Sequence, residues 1–173
     1  KCKSYLWIHD LWPESVKVAG GINNKFILGM IDQMARFIYK NTDFLLVQSP
    51  FFKKYLEKQK VDLKKVVYYP YYAETFYKPV NSSIEVKNKF PKGFNILFAG
   101  NIGTAQSFDT IVEAIDLIKK EPINIVVLGD GRDKKRLQKK IKTLGLSHKF
   151  HFLGSHPPES MPEYFAAADA LLI

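Results

Sequence analysis

One cysteine, Cys2, stands in 173 residues, so no internal disulfide can form and the chain fits a reducing compartment. No apolar run approaches the roughly 18 residues of a membrane-spanning helix. The opening KCKSYLWIHDLWPES lacks the basic, apolar and small-residue regions of a signal peptide. GxxxxGK[ST] is missing, which excludes a P-loop, and no complete GxGxxG is present. Neither HExxH nor a Cys/His ligand spacing occurs among His9, His148, His151 and His156, so no metal motif is present. A GxSxG nucleophile turn is also missing. RRM, KH and helix-turn-helix signatures are lacking too, and no nucleic-acid partner is expected. There is no internal repeat and no low-complexity tract.

What is present begins with charge. The net charge is +9, and it is concentrated in residues 1–92, with 16 Lys+Arg against 8 Asp+Glu. Residues 93–173 are nearly balanced, at 10 against 9. A basic half suggests an anionic partner: nucleic acid, a phosphorylated substrate or an acidic membrane surface.

Short apolar runs alternate with longer helical patterns. Strands are expected at 5–8, 44–47 and 66–69, the last running into Pro70. A helix is expected from Asn23 to Lys40, with Phe26, Ile27, Met30, Met34, Phe37 and Ile38 on one stripe. Ser49-Pro50 opens a short helix. Punctuating residues from Pro79 to Gly93 predict an interdomain linker over 76–92, with a small helical piece at 85–89. The alternation then restarts. Strands are expected at 94–99, 123–128, 149–153 and 169–173, and helices at 106–120, 132–144 and 160–167. Such βαβα order with apolar strands predicts α/β architecture: two doubly wound parallel sheets, each covered on both faces. The abrupt first and last strands suggest that both domains are incomplete in this chain.

Ligands of open parallel sheets bind beyond the carboxyl ends of the strands. Two glycine turns fall there, Gly100-Asn101-Ile102-Gly103 and Gly129-Asp130-Gly131. Glycine admits close backbone approach, and free N–H groups opening a helix favour phosphate. The first turn, with Thr104, Ala105 and Gln106 opening the helix, is therefore a candidate diphosphate seat. The bland alternative is that both turns close tight βα connections. Asp130, near the end of its strand, also leaves a dinucleotide-dependent oxidoreductase open. Arg132 stands beside Gly131, while the other cations of 132–142 suit a solvated face. His9-Asp10 ends the first strand, where a neutral histidine can accept a proton or hydrogen-bond a sugar hydroxyl. Tyr68, Tyr69, Tyr71 and Tyr72 suit stacking on a base or filling a seam between domains.

"HDLWPES", "VVYYPYY…F", "ILFAGNIGTAQSFDTIVEAI", "IVVLGDGRDKKRLQKKIKTLGL" and "KFHFLGSHPPESMPEYFAAADALLI" follow one another in an order that resembles glycosyltransferase family 4. The resemblance spans nearly the whole chain and is strongest with members that build capsule, O-antigen and colanic-acid-type polysaccharides. It implies a retaining enzyme of the GT-B fold, with two facing Rossmann-like domains and the active site between them. Residues 1–75 would be the latter part of the N-terminal acceptor domain, and 93–173 the first part of the donor domain. The implied substrates are a nucleotide-diphosphate sugar donor and a glycan or polyprenyl-linked acceptor, with no separate cofactor or metal. His9 and Asp10 take the catalytic positions. Gly100, Asn101, Gly103, Thr104, Gln106, Gly129, Gly131, Arg132, Ser155 and His156 take the donor-binding ones. The implied location is cytoplasmic and peripheral on the inner membrane face, where each juxtamembrane Lys or Arg is worth about 1 kcal/mol.

The chain departs from the family pattern in several places. Asn101 and Gln106 stand where many members have Arg or Lys, Tyr71 stands where Asn often follows the proline, and the family's Glu-x7-Glu motif, expected shortly after Ile173, is absent from this stretch. The stretch alone is accordingly expected to be inactive. Two further readings compete with transfer: a sugar-nucleotide epimerase on the same fold, and a basic phosphate- or nucleic-acid-binding α/β module without enzymatic activity.

Overall fold

The computed structural model describes residues 2–20 and 22–173. The chain divides into two compact units, Lys1–Tyr72 and Ala73–Ile173.

In the first unit, β1 (Tyr5–Ile8), α1 (Glu14–Gly20), α2 (Lys25–Asn41), β2 (Phe44–Val47), α3 (Pro50–Lys58) and β3 (Val66–Tyr68) follow in order. The three strands form a parallel sheet, β1-β2-β3, with Ile8 beside Val47 and Leu45 beside Val66. Local chemistry sets the helix starts. The Asn24 side chain accepts from the N–H groups of Phe26 and Ile27 to open α2, and Ser49 accepts from Phe51 with Pro50 in the first turn of α3. Lys65 caps the far end of α2, where its ammonium donates to the carbonyls of Tyr39, Lys40 and Thr42.

The period-2 alternation of the strands puts Leu6, Ile8, Leu45, Val47 and Val66 on one face, packed with Ala35, Tyr39 and Leu56. This corrects the expectation for α2. Phe26, Ile27, Met30, Met34, Phe37 and Ile38, expected as its packing stripe, are all exposed. The helix is apolar on two sides, and the sheet takes the side that carries Ala35 and Tyr39. Helix α1 was not foreseen, because the short ESVKVAG segment carries no full helical period.

The second unit contains α4 (Ile84–Lys87), β4 (Phe94–Ala99), α5 (Phe108–Leu117), β5 (Ile123–Leu128), α6 (Lys134–Thr143), β6 (Phe150–Gly154), α7 (Met161–Ala167) and β7 (Ala170–Leu172). Its strands are parallel in the order β6-β5-β4-β7. Two apolar clusters sandwich the sheet. Phe98, Phe108, Val112, Ile125, Val127, Leu137 and Ile141 pack on the side of α5 and α6. Leu97, Val126 and Leu128 pack with Val86, Met161 and Tyr164 on the other side. The stretch expected to be a linker packs on this unit: Val86 is buried, the Ser83 N–H donates to Glu163, and Tyr77 stacks on Phe165.

The helices begin later than the sequence suggested. A 3₁₀ turn at Thr104–Gln106 and a left-handed Ser107 (φ 49°) precede α5, and a second turn at Pro158–Ser160 precedes α7. Not all of the α6 cations are merely solvated. Arg136 forks onto Asp109 of α5 at 2.7 and 3.1 Å, and Lys140 reaches Asp109 at 2.8 Å and Glu113 at 3.0 Å. The Arg136 and then the Lys140 hydrogen bonds hold the Asp109 carboxyl well below the usual carboxylate range.

Candidate donor cleft and a histidine at a strand end

The carboxyl ends of β4, β5 and β6 open on a cleft of about 410 Å³ in the second unit. Gly100 and Asn101 line it after β4, Leu128, Gly129 and Asp130 at the end of β5, and Ser155, His156 and Pro158 after β6. Tyr77, Met161 and Phe165 add an apolar wall. Of the donor-binding candidates, Gly100, Asn101, Gly129, Ser155 and His156 meet here. Gly103, Thr104, Gln106, Gly131 and Arg132 do not line the cleft.

The glycines have separate physical reasons. Gly129 has φ +126°, and a Cβ there would lie 2.0 Å from the Gly100 carbonyl oxygen. A Cβ on Gly131 would lie 2.1 Å from the carbonyl oxygen of Ile102. The two turns are thus pressed backbone to backbone, tied by Gly100 N–H to Leu128 O (2.9 Å) and Ile102 N–H to Asp130 O (2.8 Å). Close packing of neighbouring turns is what requires glycine at 129 and 131. Gly103 is buried, and its N–H is taken by Gln106 Oε1 at 3.1 Å and by the Asn101 carbonyl at 3.2 Å. Gln106 therefore braces the turn from inside.

Among the described residues, the N–H groups of Asn101 and Thr104 take no hydrogen-bond partner. Arg132 is exposed and donates to Thr104 Oγ1 at 3.3 Å, which places a guanidinium beside the same turn. Asp130 accepts from the Gly131 N–H (2.8 Å) and from Lys134 (3.1 Å), and the first of these contacts chiefly lowers its pKa. A lasting carboxylate on the cleft wall repels phosphate and accepts from hydroxyl groups. His156 is held by contacts to the Leu153 carbonyl (3.2 Å) and to Tyr164 Oη, which also accepts from Lys89.

In the first unit, His9 and Asp10 follow β1 and are both exposed. The His9 carbonyl accepts from Gln48 Nε2 at 2.9 Å, and its ring nitrogen Nδ1 faces Tyr71 Oη at 2.5 Å. Trp7 lies against the His9 ring, 4.4 Å between centroids.

Sequence reasoning missed Tyr77, Pro158, Met161 and Phe165 as lining residues. Tyr77 sits in a stretch without periodicity, so its stacking on Phe165, 6.1 Å and 11° between planes, has no local signal. Phe165 and Met161 carry the helical spacing of 4, which signals packing but not a cleft wall. Among the described residues, no cluster of His, Cys, Asp and Glu is placed to hold a metal ion. No described helix is long and apolar enough to cross a membrane.

Parallel α/β units of this kind, with a cleft at the strand ends of one of them, have the Rossmann-like character of the GT-B fold. HepE of Anabaena, solved with UDP and glucose, shares this fold, with a TM-score of 0.72 at 14% identity over 96% of this chain and 45% of that one. The family described as glycosyl transferases group 1 matches residues 80–173, and the chain belongs to it. WbjE of Pseudomonas aeruginosa, named as a probable glycosyltransferase, is 28% identical over 134 residues, 75% of this chain and 34% of its own length. WcaI of Escherichia coli K12, named as a putative colanic acid biosynthesis glycosyl transferase, is 31% identical over 78 residues, 45% of this chain and 19% of its own. The chain thus spans about a third or less of the length of these curated relatives.

Proposed function

We propose that the chain belongs to an enzyme that moves a sugar from a nucleotide-diphosphate donor to a hydroxyl of a glycan or polyprenyl-linked acceptor. The setting is bacterial surface polysaccharide assembly, and the transfer proceeds with retention at the anomeric carbon. The observation that carries this reading is the cleft at the carboxyl ends of β4, β5 and β6, in the segment that matches the family. Its features suit a nucleoside diphosphate. The apolar wall of Tyr77 and Phe165 offers a base a stacking surface. The Asp130 carboxylate accepts from ribose hydroxyls, and the Asn101 N–H on the cleft receives the diphosphate, with the Thr104 N–H on the same turn and Arg132 beside it, both outside the cleft lining.

As the sugar leaves, negative charge builds on the departing phosphate oxygen. Donors fixed beforehand on that side stabilise the transition state more than the ground state. Each such donor is worth roughly 3–4 kcal/mol in comparable oxyanion sites. In the first unit, His9, with Asp10 beside it, is the side chain that engages a sugar hydroxyl.

Ligand-detected NMR on this polypeptide with UDP, GDP, ADP and NAD side by side tests the reading. One nucleoside diphosphate is expected to bind. Asn101→Asp, which brings a like charge to the exposed phosphate seat, should weaken it at least about tenfold, or 1.4 kcal/mol. Silence from all three diphosphates with a folded chain, or binding of NAD alone, would overturn the reading.

A further inference from the structure

His9 as a proton acceptor and His9 as a hydrogen-bond donor are different chemistries, and the surroundings of its ring choose between them. The two imidazole nitrogens are not equivalent: the bond made by one fixes what the other can do. Nδ1 faces Tyr71 Oη at 2.5 Å. A phenol is the better donor of this pair and a neutral imidazole nitrogen the better acceptor, so the Tyr71 hydroxyl donates to Nδ1. The ring proton then resides on Nε2.

The rest of the neighbourhood restrains the ring in that pose. Trp7 packs on His9 at 4.4 Å and on Tyr71 at 5.4 Å, and the His9 and Tyr71 rings are 5.2 Å apart. Trp7 is itself flanked by Tyr69 at 5.4 Å and Tyr72 at 6.4 Å. The Gln48 side chain fixes the backbone by donating to the His9 carbonyl at 2.9 Å. Ring plane, backbone and Nδ1 are therefore all held by residues of the same unit, while His9 itself stays exposed.

We propose that Tyr71 is the positioning residue of His9: it locks the neutral ring in the Nε2–H tautomer, so that His9 presents a hydrogen-bond donor to a sugar hydroxyl and not a base. The choice of ligand rests on the donor-sugar reading above; the tautomer does not. In this arrangement the proton of the acceptor hydroxyl is not taken by His9.

The test is long-range 1H–15N NMR of the histidine rings of this 173-residue chain at a pH where they are neutral, with His9 assigned by His9→Gln. A pyridine-type Nδ1 and a pyrrole-type Nε2 are expected for His9. Tyr71→Phe keeps the ring contacts and removes only the hydroxyl, and it should shift the His9 Nδ1 resonance while His148, His151 and His156 stay in place. An Nδ1–H tautomer in the unmutated chain, or His9 resonances unchanged by Tyr71→Phe in a folded protein, would overturn the proposal. Failure of every nucleotide to bind would sink the donor reading and leave this result standing.

Discussion

Both units are built from the same grammar of apolar parallel strands and amphipathic helices, yet only the second is closed. Its sheet has an apolar cluster on each face, with Phe98, Ile125 and Val127 on one and Leu97, Val126 and Leu128 on the other. In the first unit, Leu6, Ile8, Leu45 and Val47 are covered. On the opposite face Tyr5 is 62% exposed, Val67 41% and Tyr69 45%. The outer side of α2 is bare as well, with Phe26 76% and Phe37 68% exposed. Parallel sheets ordinarily have both faces covered. Strand composition therefore reports a parallel sheet but not how many of its faces find partners within a given stretch of chain.

The sharpest way to break the comparison is to open the second unit at its turns. Gly129→Ala forces a side chain into a left-handed backbone and against the Gly100 carbonyl. The expected cost is on the order of 3 kcal/mol or more. Urea unfolding followed by far-UV circular dichroism should show it. Both tryptophans, Trp7 and Trp12, belong to the first unit, so tryptophan fluorescence should report a far smaller change. An undiminished far-UV midpoint would show that the two turns are not pressed together as described.

A matched pair of truncations comes next. Phe108 is 2% exposed and meets Phe98 edge-on at 4.9 Å. Phe108→Ala should cost about 3–5 kcal/mol. Phe37→Ala on the bare side of α2 should stay within about 0.5 kcal/mol. The same residue type on the same kind of helix then differs only by whether anything covers it. Equal costs, read by urea midpoints at constant slope, would mean that the outer side of α2 is packed in solution.

What was legible in the sequence follows the same division. The seven strands among the described residues were found because apolar runs bounded by polar or glycine turns need no tertiary information. The Ser49-Pro50 helix start is local too, whereas the Asn24 cap was not picked out in the sequence. The stripe on α2 was misjudged because apolar periodicity cannot say which of two apolar sides meets the sheet. Among the residues that line the cleft, Gly100, Asn101 and Gly129 were legible because topology puts strand ends together, whereas Ser155 and His156 came from the family resemblance. Tyr77 and Phe165 were not, since they meet across 88 residues of chain with no pattern linking them. Gly131 shows a further limit of pattern: its glycine is required by the Ile102 carbonyl, a contact between two loops, and not by anything in the cleft.

The smallest expected effect concerns pH and again singles out the second unit. His151 lies on β6, beside Val126, with its Nε2 buried and without a hydrogen-bond partner among the described residues. Burial lowers its pKa, so the folded chain holds it neutral where the unfolded chain takes up a proton. Stability from this group is therefore complete above the ordinary histidine range. It declines as pH falls through the unfolded value of about 6.5, because the unfolded state binds more protons there. His151→Phe removes the titrating group and keeps a ring in the space. The loss of stability between pH 7.5 and pH 5.5, read from far-UV urea midpoints, should be smaller in His151→Phe than in the parent chain. Asp109, with its pKa held low, adds pH dependence only further down, below about pH 4, where an unfolded carboxylate protonates. The two contributions thus occupy separate windows. A His151→Phe chain whose losses matched the parent's from pH 7.5 to 5.5 would show that the ring is solvated and the edge of this sheet more open than its burial implies.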